Sequence, residues 1–314
     1  PSILKPEAID GLLEIIHKKF SVHPLAEITL EANPDDISKQ MLSAWKKMGV
    51  NRLSVGIQSF CEAELKWMNR AHSAAESLSC LDAIQAAGFE NYSADLIYGS
   101  PLQSNEQLQK NAAILFEKKV PHLSCYALTV EPKTALHHLI SKQKNADVDT
   151  GKQAEQFELL LKMMEAHGYE QYEISNFSLP GFRSSHNSSY WQRKPYHGYG
   201  PAAHSFNGIN KRRWNVANNA LYIQSLRQNK ITYEEETLSA IQQLNEYMMI
   251  GLRTSEGVDM EKLKSEFGLS YADDALQKAK KYISQQKMIF ENDFLILTNE
   301  GKFFADGIAA DLFF

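Results

Sequence analysis

From residue 1 to about 130 the chain alternates short apolar runs with longer stretches in which apolar residues fall three and four apart. The runs are AEITLEA (26–32), RLSVGIQS (52–59), YSADLIYG (92–99) and HLSCYALT (122–129), each of strand length and rich in β-branched or apolar residues. Between them lie DDISKQMLSAWKKMG, SAAESLSCLDAIQAAG and SNEQLQKNAAILFEKK, which carry helical spacing and close on a glycine or a basic residue. Strands joined by helices of this length need crossover connections. The pattern therefore predicts an α/β fold with about four parallel strands.

After Glu131-Pro132 the pattern changes. A polar linker leads into a long helix and a strand rich in Tyr and Ile (GYEQYEISNF), then a loop, SSHNSSYW (184–191), a Gly-rich segment, HGYGPAAHSF (197–206), and a basic turn, NKRRWNVANN. From about Thr237 helical spacing returns through LSAIQQLNEYMMIGL, DMEKLKSEFG and YADDALQKAKKYISQQ. KMIFENDFLILT then reads as a hairpin turning at Asn292-Asp293, with a last helix behind it. Helices followed by a hairpin resemble a winged helix. The expected divisions are 1–132, a parallel-sheet domain; 133–236, a connecting α+β region; and 237–314, a winged-helix-like C-terminal domain.

Composition narrows the function classes. With 43% hydrophobic residues in 314, the chain can bury a core, and its net charge of −5 is mild and interspersed. No basic tract offers a footprint for nucleic acid, and the stretch that would serve as recognition helix of the winged element, YADDALQKAKKYISQQ, opens with two acids, so nucleic acid is not an expected partner. Cys61, Cys80 and Cys125 are too far apart for a C-x-x-C pair and too few for a disulfide framework. No apolar run reaches the ~18 residues of a membrane span, and PSILKPEAID has neither basic flank nor signal core. A cytoplasmic location is expected. The absent initiator Met and the early entry into helix suggest a chain that starts partway through its domain.

In parallel sheets ligand-contacting residues gather at the carboxyl ends of strands. Those ends carry Glu31, Gln58, Asp95 and Thr129 here, and Arg70 follows the second run. A single carboxylate after a strand is ordinarily a cap or loop contact; four polar strand ends point to a shared mouth. Spacing alone leaves Arg70 as ready to pair with a surface acid as to hold a carboxylate ligand. A carboxylate inside an apolar strand, as at Asp95, needs a partner or a shifted pKa.

His186, Asn187, Tyr190 and Trp191 crowd an imidazole, an amide and two aromatic rings into six positions. Taken alone this is a packing and hydrogen-bonding corner before it is a ligand site. His137-His138 and the pair His197 and His204 lack zinc spacing. No phosphate-loop motif is present, and the G-x-G of HGYG follows no strand.

EITLEANPDD, GVNRLSVGIQSF, NRAHSAAE, AGFENYSADLIYGSPLQS, LSCYALTVEPKTAL, GYEQYEISNF, HNSSYW and GYGPAAHSF together resemble the oxygen-independent coproporphyrinogen III oxidase group of radical S-adenosylmethionine (SAM) proteins, and within it the HemW type of haem chaperone. The likeness runs from residue 1 to the end. It implies a partial radical-SAM (β/α)6 barrel, haem as the cargo, and in the complete protein SAM and a [4Fe-4S] cluster. By position Glu31 resembles the acid that holds a SAM ribose, Gln58, Arg70 and Asp95 resemble residues contacting a second SAM, and Thr129 is a weaker SAM match. His186, with Asn187, Tyr190 and Trp191, matches the haem-associated H-N-x-x-Y-W pattern, which makes His186 a candidate iron ligand and favours the chaperone over the oxidase. The family's C-x-x-x-C-x-x-C loop and GGGT turn are not found in this sequence, so the resemblance implies no cluster and an incomplete SAM site in this chain alone. A haem-acceptor protein is the implied partner, with the membrane surface as one place to meet it.

Overall fold

The computed structural model describes residues 1–132, 134–142 and 146–314; Lys133, where the expected domain boundary falls, lies outside the described residues. Two compact units emerge, Pro1–Ser184 and Ser185–Phe314. No helix among the described residues is long and apolar enough to cross a membrane.

The first unit runs α1 (Pro6–Lys19), β1 (Thr29–Ala32), α2 (Lys39–Lys47), β2 (Arg52–Gln58), α3 (Glu62–Trp67), α4 (Ala74–Ala86), β3 (Tyr92–Tyr98), α5 (Asn105–Glu117), β4 (His122–Ala127), α6 (Ala135–Ser141), α7 (Thr150–Ala166), β5 (Glu170–Glu173) and β6 (Asn176–Ser178). All four predicted runs are strands, and β1 to β4 pair in parallel and in order. The sheet has two further strands. GYEQYEISNF forms the β5–β6 hairpin, and β6 joins β4 antiparallel with Leu123 opposite Phe177, giving the order β1-β2-β3-β4-β6-β5.

Local chemistry sets where each helix starts and stops. The hydroxyls of Ser38, Ser73 and Ser104 accept from the N–H three residues on, and Glu76 completes a capping box with Ser73; each such cap is worth about 1 kcal/mol. At the other end the chain turns left-handed at Gly49, Asn69, Gly88, Lys119 and Gly168. The next residue's N–H returns to the carbonyl five before it, as from Val50 to Trp45 and from Phe89 to Ile84. This Schellman closure satisfies the last helical carbonyls and drops an apolar residue into the core. Val50, Phe89, Val120 and Tyr169 are all buried there, shortly before the next strand. The core beneath includes Trp45, Leu53, Ile57, Leu81, Leu96 and Leu123, all fully buried.

The second unit runs α8 (Ser185–Trp191), β7 (His204–Phe206), β8 (Lys211–Asn215), α9 (Asn219–Arg227), β9 (Tyr233–Thr237), α10 (Ala240–Leu252), β10 (Val258–Asp259), α11 (Met260–Phe267), α12 (Leu269–Ser284), β11 (Met288–Glu291), β12 (Phe294–Leu297), α13 (Asn299–Lys302) and α14 (Ala305–Asp311). The predicted hairpin turn is present, with Asn292 and Asp293 both at positive φ (49° and 65°), as a two-residue turn between right-twisted strands demands. The last helix is broken in two at Phe303-Phe304.

The expected basic turn is instead strand β8, the middle of the sheet β7-β8-β9. Two of its cations meet acids across the strand pair, Lys211 with Glu235 at 3.1 Å and Arg212 with Glu236 at 3.5 Å; Arg212 also meets Glu246 of α10, and the Trp214 indole N–H donates to Glu234 at 3.2 Å. Opposite charges facing each other along a ladder explain why so polar a stretch is extended.

Candidate functional site

Four of the residues chosen from the sequence meet near the carboxyl ends of β1, β2 and β3. A cleft of about 240 Å³ is lined by Glu31, Asn33, Gly56, Gln58, Arg70 and Asp95, among others. The backbone of β2 is bent to build it. Between Val55 and Gln58 the register against β3 slips, so that one extra residue of β2 stands opposite the segment holding Asp95. Such a bulge re-aims the side chains that follow it.

Gly56 lies in this bulge. A Cβ there would sit 2.9 Å from Gln58 Nε2 and 3.1 Å from Arg70 Nη2, so the missing side chain is what lets both groups approach. Gln58 ends the strand at φ 65°, a left-handed conformation that is costly for a residue with a side chain. Arg70 follows the Schellman closure of α3, and its Nη2 donates to Asn33 Oδ1 at 3.1 Å, with the Gly56 carbonyl at 3.5 Å. Its partners are thus cleft groups, not a surface acid.

Asp95 is half-buried at the cleft. Desolvation pushes its carboxyl up to about 6, with Glu31 adding to the rise, against the opposing pull of the Ser124 hydrogen bond and of Arg52 and Arg70. The mouth therefore offers one exposed carboxylate, one acid that titrates near neutrality, a carboxamide and a guanidinium fork. Such a set suits a ligand that carries a cationic centre, a carboxylate and vicinal hydroxyls. Thr129 is not among the cleft residues: it is exposed two positions beyond β4, with its hydroxyl 3.4 Å from the Ala127 carbonyl.

Asn33 and Gly56 escaped the sequence reading. Asn33 sits two positions after Glu31, on the same side by strand alternation, and that spacing was the available signal. Gly56 was visible two residues before Gln58, but its role depends on a tertiary approach that no pattern encodes.

In the second unit SSHNSSYW is not a loop. Ser185–Trp191 is a short helix, which has no glycine or proline to break it and whose Ser189 hydroxyl bonds back to the Ser185 carbonyl at 2.8 Å. Helical spacing stacks His186 above Tyr190, their rings edge-on at 4.9 Å. Tyr190 meets Tyr196 at 4.8 Å and Tyr196 meets Phe206 at 6.3 Å, so one row of rings runs from α8 to β7. Trp191 packs under the Arg253 guanidinium, 5.5 Å from its ring centre. His186 and Tyr190 are exposed, while Asn187 and Trp191 are half-buried.

The cysteines do not converge. Cys80 and Cys125 are buried, and burial pushes the Cys80 thiol up to about 12 and that of Cys125 higher still. Among the described residues no group of three His, Cys, Asp or Glu could hold a metal ion.

Residues 2–114 match the radical SAM superfamily, and residues 238–304 match the HemN C-terminal domain. The chain is 33% identical over 305 residues to "Heme chaperone HemW" of Bacillus subtilis, covering 96% of this chain and 80% of that protein. The chain belongs to the HemW family. A second relative, "Heme chaperone HemW" of Lactococcus lactis, is 32% identical over 96% of this chain and 79% of its own length. Among solved structures, coproporphyrinogen III oxidase (HemN) from Escherichia coli, described as a radical SAM enzyme, superposes with a TM-score of 0.83 over 99% of this chain and 75% of its own, at 18% identity. That likeness establishes the fold. Within the HemW family frame, Glu31, Gln58, Arg70 and Asp95 all fall inside the radical SAM match, whereas α8 lies between the two matched regions.

Proposed function

We propose that this chain is a haem chaperone, which binds haem at the α8 surface of its second unit and passes it to an acceptor protein. The observation that carries the proposal is the exposed His186–Tyr190 face of α8, continued by Tyr196, in a chain of the HemW family. An imidazole is a good iron ligand, and aromatic rings offer a planar macrocycle a surface to lie on. His186 takes the iron in this proposal; Asn187, Tyr190 and Trp191 shape the surface around it. An exposed binding face suits a protein that must give its cargo up, and the sparse, unpaired cysteines suit work in the cytoplasm.

The cleft of the first unit is the proposed SAM site. Its residues fit such a ligand: Glu31 would accept from the ribose hydroxyls of one SAM, and Gln58, Arg70 and Asp95 would offer an amide, a guanidinium fork and a carboxyl to a second. The absent Cβ of Gly56, which lets Gln58 and Arg70 draw together beside the cleft, is the observation in favour of this fit. SAM, bound beside a reduced iron–sulfur cluster, supplies radical chemistry. The described residues do not fit the cluster, because two of the three cysteines are buried and none converge. Under this proposal residues 1–132 serve SAM, 133–236 serve haem, and 237–314 form a winged-helix-like packing or docking element with no role on nucleic acid.

Hemin titration tests the chaperone proposal. The unaltered chain is expected to shift the Soret band saturably and to deliver haem to an apo-haemoprotein, and His186→Ala should weaken binding roughly tenfold, about the worth of one good polar contact. A chain that leaves the hemin spectrum unchanged would end the chaperone proposal. A Soret shift identical in His186→Ala would move the iron to another ligand.

A further inference from the structure

The strained end of β2 is held by residues with no part in the cleft. Gln58, at φ 65°, is the middle residue of a γ-turn: the Ser59 N–H donates to the Ile57 carbonyl at 2.8 Å, closing a turn of the rare positive-φ kind. A conformation like this persists only where its surroundings over-determine it. Two clamps do so here.

The first clamp is His72, 3% exposed, whose Nε2 lies 3.0 Å from the same Ile57 carbonyl. A carbonyl can only accept, so Nε2 carries the proton and donates. Burial holds this imidazole towards its neutral form. His72 stands two residues after Arg70, so the same hydrogen bond pins the loop that carries the guanidinium to the turn that carries the carboxamide. The second clamp is fully buried Ser59. Its hydroxyl donates to Glu64 Oε2 at 2.6 Å, and accepts from the Cys61 N–H at 3.0 Å and from Asn111 Nδ2 at 3.1 Å. Gln103 Nε2 donates to that same Glu64 oxygen at 2.9 Å.

We propose that His72 and Ser59 are positioning residues for the cleft: they lock the γ-turn at Gln58 and the loop at Arg70 into the one arrangement in which both groups face a bound ligand. The proposal deepens the SAM reading of the cleft and rests on it for the identity of that ligand. Neither residue touches the ligand. Both act through the backbone of Ile57 and Gln58.

Two measurements on the full chain test this. The turn itself is read without ligand, from hydrogen exchange at the Ser59 amide and the backbone carbon shifts of Gln58. His72→Leu and Ser59→Ala are expected to speed that exchange at least ~10-fold, the loss of roughly 1.4 kcal/mol of local protection, while His72→Gln, which keeps a donor, restores most of it. SAM binding is then measured by calorimetry for the unaltered chain, Gln58→Ala, His72→Leu and the double variant. A loss smaller than additive is the signature: His72→Leu should weaken binding several-fold alone and clearly less once Gln58 is gone, the remainder acting through Arg70. Unchanged Ser59 exchange in His72→Leu and Ser59→Ala, or fully additive losses in the double variant, would overturn the positioning role. Absence of SAM binding in the unaltered chain would instead overturn the ligand assignment, with the exchange result still deciding whether the clamp exists.

Discussion

The two candidate sites are built in opposite ways. The cleft of the first unit draws Glu31, Asn33, Gln58, Arg70 and Asp95 from separate strands and loops, bends a strand to aim them, and buries a polar scaffold behind them. The α8 face is seven consecutive residues with no fully buried member. Preorganisation of the first kind favours one small ligand in one pose. A short surface helix with rings edge to edge tolerates a large flat cargo that arrives and leaves. If that contrast is correct, perturbations of one site should spare the other.

Hollowing the core of the first unit should show the largest effect. Trp45→Ala, at a fully buried position of α2, should destabilise the first unit by about 3–5 kcal/mol. Residue-resolved hydrogen exchange should show the loss across residues 1–184 and leave the α8 amides and the hemin titration near their original values. Loss of hemin binding in step with it would collapse the distinction between the sites.

Gly56→Ala is narrower. Its Cβ would push the ends of Gln58 and Arg70 aside, both flexible side chains, so folding should be nearly unaffected while SAM binding falls by roughly 100-fold, the worth of about two polar contacts. Calorimetry beside a thermal melt separates these.

The smallest effect is a pH signature. Asp95 stands near 6 in the folded chain and at 3.8 without its surroundings, so the folded form holds the proton more tightly. The contribution of Asp95 to stability is therefore greatest below ~4, falls as pH rises towards 6, and is flat above it, by about 1–3 kcal/mol in all. Asp95→Asn should erase that slope in melting temperature and also the rise in SAM binding as the carboxylate ionises. Hemin binding at α8 should show no inflection tied to Asp95.

The strands and helices of the first unit were legible because each signal is local: apolar alternation for strands, Ser caps and Gly closures for helices. Glu31, Gln58 and Asp95 were legible for the same reason, as polar interruptions at strand ends. The β5–β6 hairpin was seen as a strand but not as an antiparallel addition to the sheet, since pairing with β4 is non-local. SSHNSSYW misled because serines and a histidine have weak helix propensity; the packing of His186 on Tyr190 and of Tyr190 on Tyr196 outweighs it. KRRWN looked like a turn because its neutralising partners, Glu234 to Glu236, lie some twenty residues away. The roles of Gly56, Ser59 and His72 were illegible altogether, because they consist of distances between segments.

The charge ladder between β8 and β9 also bears on how copies of this chain behave in company. β9 is the outer strand of its sheet, and its Glu234, Glu235 and Glu236 stand along that open edge. A bare edge of this kind is a template on which a foreign strand can grow, and a row of like charges repels a second copy of itself. The glutamates that neutralise β8 on the inside thus guard the chain against sheet-to-sheet aggregation on the outside. Screening by salt would weaken both services at once.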